Sequence, residues 1–468
     1  MINPLANWWR SYQFRAALKQ GSQHLARQQL QKIQSSGARL SLLEQLFKDK
    51  LQSEASLYDA KKIIKNLRIS RQQSTVGLEA EPATQRYDIE QSLAEKQQEI
   101  ASLQEQVEKL SHQREQPLIT PNQELIAAIT SQFQLNAIDE NLLQCTGIDE
   151  QTFYELESNL VTYLESEFEG YTPQSSLYSS LTAAYEDINL LTKGQDPHYN
   201  SPLTPHVYFM LYFLESVYSA YIAWFFVYQS GLLPTRMELL DIAAGSGSLF
   251  YGLFYFLRTA TNFTPLSQNI ICYCSLEQEP WLQYHGREFW QQYVEPNTTA
   301  TVNSYFRFNA ADLFIYGSNS DGNRELPKNF FDFITISHCI FADQEKRQES
   351  HQIYRRIFNE SLKDNGYVLL VVQGRRLFKT YGYRLTENPA EEQNLMRCFL
   401  DELGLKLEWY KYLSSTGKRT PIQKTKFAKF AAKNLPPNTY MNPLIRQYLK
   451  RRFDSHYVLD DYVVLGKK

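Results

Sequence analysis

Glu238-Leu239-Leu240-Asp241-Ile242-Ala243-Ala244-Gly245-Ser246-Gly247-Ser248 is the stretch from which the rest of this chain can be read. An apolar run enters a carboxylate, then a Gly-x-Gly turn, then an apolar segment that reads as a helix from about Leu249. Gly245 and Gly247 lack Cβ, so the backbone can turn sharply there and a ligand can come close. Strand, turn and helix N-terminus together predict a nucleotide-sized site at the C-terminal edge of a parallel sheet. A dinucleotide-binding turn would carry a third glycine three residues further on. Here Gly247 is followed by Ser248, Leu249 and Phe250, so that fingerprint is incomplete.

Downstream, apolar runs and helical segments alternate as a doubly wound sheet requires. Residues 249–260 read as a helix and 270–276 as the second strand, ending at Glu277. A third strand ends near 306–313, and a fourth covers 330–337. A helix over about 344–362 leads to the turn Asp364-Asn365-Gly366 and a fully buried strand over 367–372. Residues 404–409 and 462–466 complete seven strands.

In this order the pieces resemble the class I S-adenosylmethionine (SAM)-dependent methyltransferases, over roughly 205–468. The motif is an apolar strand, an acid and Gly-x-Gly at 238–247, with a Phe-Asp-x-Ile strand at 331–334 and a Leu-Lys-x-x-Gly-Tyr-x-Leu-Leu-like run at 362–370. The resemblance implies an α/β fold with a seven-stranded sheet and SAM as cofactor. It assigns cofactor contacts to Asp241, Ala243, Gly245, Ser246, Gly247, Glu277 and Ser337. Glu277 would accept hydrogen bonds from the ribose hydroxyls. Asp312, with Asn309 as second choice, would contact the adenine amino group. Acceptor contacts would fall on 337–341, where His338 is the candidate general base because imidazole titrates near neutrality. Asp343 and Tyr316 are further candidates. By the same analogy Tyr199, His206 and Tyr208, before the motif, would line the pocket, although ordinary packing also accounts for them. The Asn/Asp-Pro-Pro-Tyr/Phe motif of amino-group methylating enzymes is missing. So is the Pro-Cys/Thr-Cys pair of RNA cytosine C5 enzymes: Cys339 follows His338. Another doubly wound protein with a different nucleotide is the alternative, because fold alone does not determine function.

The 468 residues suffice for two or three domains. We expect a basic helical region at 1–75, a linker and short coiled coil at 76–120, an acidic helical region at 121–204, and the methyltransferase domain at 205–468. A basic insertion at 412–456 interrupts the last of these. Ile89, Leu93, Ile100, Leu103, Val107 and Leu110 follow a heptad alternation, which points to self-association or a partner helix at 89–110; a helix packed against its own domain is the alternative. The net charge of −3 hides segregation: 115–192 contains no Lys or Arg, and 412–453 carries ten and no acid. Aromatic residues interleave the basic ones over 418–452, a pattern suited to RNA; a surface insertion paired with the acidic region accounts for it somewhat better. Five scattered cysteines indicate neither disulfides nor a metal site, so a reducing, cytoplasmic location is the default. The acid-free basic N-terminus is also compatible with an organelle transit segment. The apolar stretch 207–233, with Glu215 its only charge, reads as a helix buried on the sheet in preference to a membrane span.

Three functions fit: a methyltransferase acting on RNA, one acting on a small molecule, or an assembly factor that keeps the SAM fold without catalysis.

Overall fold

The computed structural model describes Lys32 and residues 117–468, less 172–173, 194, 196, 264–268, 298–301, 317–325, 342 and 453. The expected coiled coil and self-association segment at 89–110 and the basic N-terminal region, Lys32 apart, lie outside the described residues. Residues 114–468 form one compact unit.

Helix α1 (Gln123–Gln132), strands β1 (Asn136–Ala137) and β2 (Leu142–Gln144), and helices α2 (Glu150–Glu169), α3 (Gln174–Ile188) and α4 (Thr204–Tyr208) come first. A π turn at Phe209–Phe213 joins α4 to α5 (Leu214–Gln229). Then follow β3 (Arg236–Ile242), α6 (Ser248–Thr261), β4 (Asn269–Glu277), α7 (Pro280–Phe289), β5 (Val302–Ala310) and α8 (Leu313–Tyr316). Strand β6 (Phe331–Ser337), α9 (Gln344–Ser361), β7 (Leu362–Gln373), α10 (Gly374–Thr380) and α11 (Pro389–Leu403) continue the chain. It closes with β8 (Lys406–Ser414), α12 (Lys424–Asn434), α13 (Met441–Leu449) and β9 (Asp460–Lys467).

The sheet is mixed and has nine strands in the order β1-β2-β8-β9-β7-β6-β3-β4-β5. This corrects the expected seven strands and the expected all-helical character of the region before 205. The additional strands are β1 and β2; β2 pairs in parallel with β8, Leu142 opposite Tyr412. Segments of two and three residues are too short to show a period, and only the otherwise open edge of β8 recruits them. The third expected strand also ends early, at Ala310, because Asp312 Oδ1 accepts a hydrogen bond from Phe314 N and starts a turn.

Alternate residues of the central strands feed two cores. Leu239, Phe333, Leu369, Val463 and Leu465 join the face covered by α2, α3, α5 and α6. Leu240, Ile334, Leu370 and Val464 join the face covered by α9 and α11. That is the period of two of a sheet buried on both sides. The continuous helix Thr204–Gln229 is long and apolar enough to cross a membrane, and 78% of its most apolar window is buried inside this chain. It packs on α6 so closely that a Cβ on Gly252 would lie 2.5 Å from Ala220 Cβ. Trp224 Nε1 donates to Leu249 O at 2.9 Å across the same interface.

Candidate active site

The strand order reverses between β3, which leads to β4 and β5, and β6, which leads to β7. Such a switch point opens a crevice at the carboxyl ends of the two strands. The register places Asp241 beside Thr335 and Ile242 beside Ile336. The glycine turn that follows Asp241 and the Ser337-His338 pair that follows β6 therefore flank one opening.

Asp241 is 1% exposed. Its two carboxylate oxygens accept hydrogen bonds from Thr335 Oγ1 and Tyr273 Oη, each at 2.8 Å. Burial pushes its pKa up to about 7, against the pull of these two hydroxyls. The side chain thus ties β3 to β4 and β6 beneath the turn. Above it, Ala243, Gly245 and Gly247 all have positive φ, at 53°, 55° and 82°. For Ala243 that left-handed conformation costs roughly 1–2 kcal/mol, the sort of strain that collects at functional turns. A Cβ on Gly245 would meet nothing nearer than the Tyr208 hydroxyl at 3.9 Å, so that face of the turn is open. Ser246 Oγ is buried and has no hydrogen-bond partner. The Ser246 carbonyl oxygen lies where only a glycine fits opposite: a Cβ on Gly286 of α7 would be 2.3 Å from it.

Glu277 ends β4 and is buried. Its Oε2 accepts from Gly245 N at 2.7 Å and its Oε1 from Glu279 N at 2.8 Å. Burial raises its pKa, and the backbone amides oppose the rise. A carboxylate has about four lone-pair directions, so the backbone amides of Gly245, Glu279 and Gln278 do not use them all. Tyr199 and Tyr208 are close enough for Glu277 to raise both phenols further, after burial has raised them most. His206, placed in the same group by sequence, bonds Glu167 instead.

Asn309 lies within β5, where its Nδ2 donates to Ser275 O at 3.1 Å. Asp312 stands just past the strand end and caps the turn to Phe314. Ser337 Oγ is 3.1 Å from Nδ1 of His338, whose Nε2 is 3.0 Å from Oδ1 of the buried Asp461. His338 has φ of 55° and donates its backbone N–H to Val371 O, which pins its side chain at the mouth of the site. Asp343 is the N-cap of α9, accepting from Lys346 N at 2.9 Å, a structural use of its carboxylate. The side chain of Tyr316 lies outside the described residues.

Sequence reading missed Tyr273, Thr335, Asp461 and Glu215. Burial, then Asp461 and Asp460, push Glu215 up to about 8, so it borders the His338 end of the site. Burial pushes Asp460 itself up to about 6. Glu215 carried a visible signal, as the one charge in an apolar run. A groove of ≈ 370 Å³ runs between Pro280, Trp281, Gln283, Tyr284, Arg287 and Phe308, and none of these residues belongs to the glycine turn.

In the basic insertion, Arg419 is withdrawn from the surface. It is 4% exposed and bonded to Glu392 and, in bidentate fashion, to Asp139. Arg446 pairs with Asp454, and Arg451 lies over the Tyr185 ring at 4.2 Å. Lys424, Lys426, Lys429 and Lys433 of α12 are exposed.

No family model matches the chain, and no curated protein does. Solved structures do. The plantazolicin methyltransferase BpumL, determined in complex with SAH, is 14% identical, covers 68% of this chain and 98% of its own, and has a TM-score of 0.28. A SAM-dependent methyltransferase from Archaeoglobus fulgidus is 15% identical, with 54% and 94% covered and a TM-score of 0.25. One from Aquifex aeolicus is 13% identical, with 40% and 81% covered and a TM-score of 0.25. Over roughly half of its length, within about 120–468, the chain is matched by structures of many SAM-dependent methyltransferases.

Proposed function

We propose that this chain transfers a methyl group from SAM to an acceptor presented at Ser337-His338. The observation that carries this reading is the junction of Gly245 and Glu277: the turn amide donates to the strand-end carboxylate at the switch point of the sheet. The residues present fit a nucleoside-bearing cofactor. Ser246 Oγ lacks a partner, Glu277 keeps unused lone pairs, and the turn is open above Gly245. When bound, SAM supplies an electrophilic methyl group on a sulfonium.

The protein's own work is to position and to manage a proton. Glu277 would hold the ribose hydroxyls and Asp312 the adenine amino group. Asp241 would act through the turn, since both its oxygens are engaged from below. With Nε2–H of His338 donated to Asp461, Nδ1 is left as the acceptor on the Ser337 side. There it takes a proton from the acceptor, directly or through the Ser337 hydroxyl.

The exposed lysines of α12 favour an RNA acceptor, although Arg419, Arg446 and Arg451 have partners within the chain. A second reading, an amine acceptor, is favoured by the carboxyl groups of Asp460 and Asp461 at the His338 end, where acceptor oxygens suit a cation and oppose a phosphate. We place the protein in the cytoplasm as a working reading.

SAM binding by calorimetry on the full chain tests the proposal. Wild type is expected to bind; Glu277→Ala should weaken binding about 10- to 100-fold, as for a lost hydrogen bond to a charged group. His338→Ala should bind normally, because it acts on the acceptor. A folded wild type that does not bind would overturn the reading in favour of an assembly factor.

A further inference from the structure

Glu167, His206 and His285 come from three separate helices, α2, α4 and α7, and meet outside the site described above. The two histidines are 4% and 6% exposed. Their ring centroids are 4.3 Å apart at an interplanar angle of 60°. Nε2 of His206 is 3.2 Å from Oε2 of Glu167, and Nδ1 of His285 is 3.7 Å from the same oxygen. One donor atom from each residue lies within 4.8 Å of the other two.

A hydrogen-bonded trio accounts for only part of this. The 3.7 Å separation is too long for a hydrogen bond, so Glu167 Oε2 holds His206 but not His285. The separations fit a different object. Bonds of about 2.0–2.1 Å to a tetrahedral ion place its donor atoms about 3.3 Å apart; the 3.2 Å pair matches this, and the rest of the trio, within 4.8 Å, would draw in by up to about 1.5 Å on binding. Two imidazoles and one carboxylate suit zinc and its neighbours and do not suit calcium or magnesium, which prefer all-oxygen shells. The Glu167 side chain is 35% exposed, which leaves an entry path and room for a water in the fourth position.

We propose that Glu167, His206 and His285 bind one divalent transition-metal ion of the zinc type. The ion staples α2 and α4 to α7, the helix whose Gly286 packs against the glycine turn. Tyr163 Oη is 2.6 Å from Nδ1 of His285, so metal binding replaces that hydrogen bond.

The test is to strip the full-length protein with a chelator and titrate it with Co²⁺, followed by its visible spectrum. One Co²⁺ per chain is expected, with a tetrahedral nitrogen–oxygen spectrum that lacks thiolate charge transfer, and with displacement by Zn²⁺. His206→Ala and His285→Ala should each abolish the signal, and Glu167→Gln should weaken binding more than about tenfold. Tyr163→Phe should retain it, because it loses only the competing hydrogen bond. Folded wild type that binds no Co²⁺, or binds it with thiolate bands, overturns the proposal. So does binding that survives both histidine substitutions. If the histidine variants do not fold, the wild-type stoichiometry and spectrum decide.

Discussion

Asp241 shows what burial does to a single side chain in this site. Its folded pKa, about 7, lies above the usual carboxylate range. The folded state therefore holds this proton more tightly than the unfolded chain does. The sign follows: the contribution of Asp241 to stability is largest at about pH 4 and declines as pH rises to about 7, then levels off. Asp241→Asn removes the titration. Relative to wild type, this variant should gain stability between about pH 4 and pH 7, whatever its absolute stability, as urea titrations at a series of pH values would show. An unchanging difference across that range would mean that the carboxylate stays ionised in the folded protein. Spacing alone picked out Asp241 and Glu277, because each ends an apolar strand. It could not show that Tyr273 and Thr335 consume both oxygens of Asp241, since those partners are 32 and 94 residues away.

At the scale of elements, the site depends on how α6 is seated. Helix α6 leaves the glycine turn and is buried almost throughout. Gly252 lets it approach α5, where an added Cβ would lie 2.5 Å from Ala220 Cβ and 2.6 Å from the Tyr221 backbone nitrogen. In an exposed helix, Gly→Ala gains about 1 kcal/mol. Here overpacking reverses the sign, and Gly252→Ala should cost about 1–3 kcal/mol, measured as a fall in melting temperature or denaturant midpoint. A stabilised variant would show that α5 and α6 sit further apart than described. The helical character of both segments was plain from their apolar content and length. Their crowding was not, because a glycine within an apolar run gives no sign of what stands opposite it.

At the scale of the whole molecule, Arg419 links distant parts of the chain. It joins Asp139, just before the added strand β2, to Glu392 on α11, which is fully buried. Arg419→Ala would leave the buried Glu392 without a cation and with the Tyr462 hydroxyl as its remaining donor, at a cost of about 3–5 kcal/mol. Urea denaturation of the two proteins at neutral pH checks this. A loss below about 1 kcal/mol, the worth of an exposed pair, would mean that Arg419 is solvated. As a sequence feature Arg419 belonged to a basic block suited to phosphates. Folding gives it an internal use, while the lysines of α12 and Lys418, Lys450 and Arg452 of that block stay exposed.

What the sequence determined by itself is what adjacent residues encode. The carboxylate–glycine turn, the apolar strands of the central sheet and their order along the chain follow from contiguous patterns of burial and turn chemistry, each written within about ten residues. Tertiary structure alone decided which distant side chains meet. It set β2 against β8 and β1 against β2, Asp461 against His338 across 123 positions, and Glu167 beside His206 and His285. Contacts of that kind depend on how elements pack and on which polar atoms burial obliges to find a partner, and neither leaves a period or a spacing in the chain.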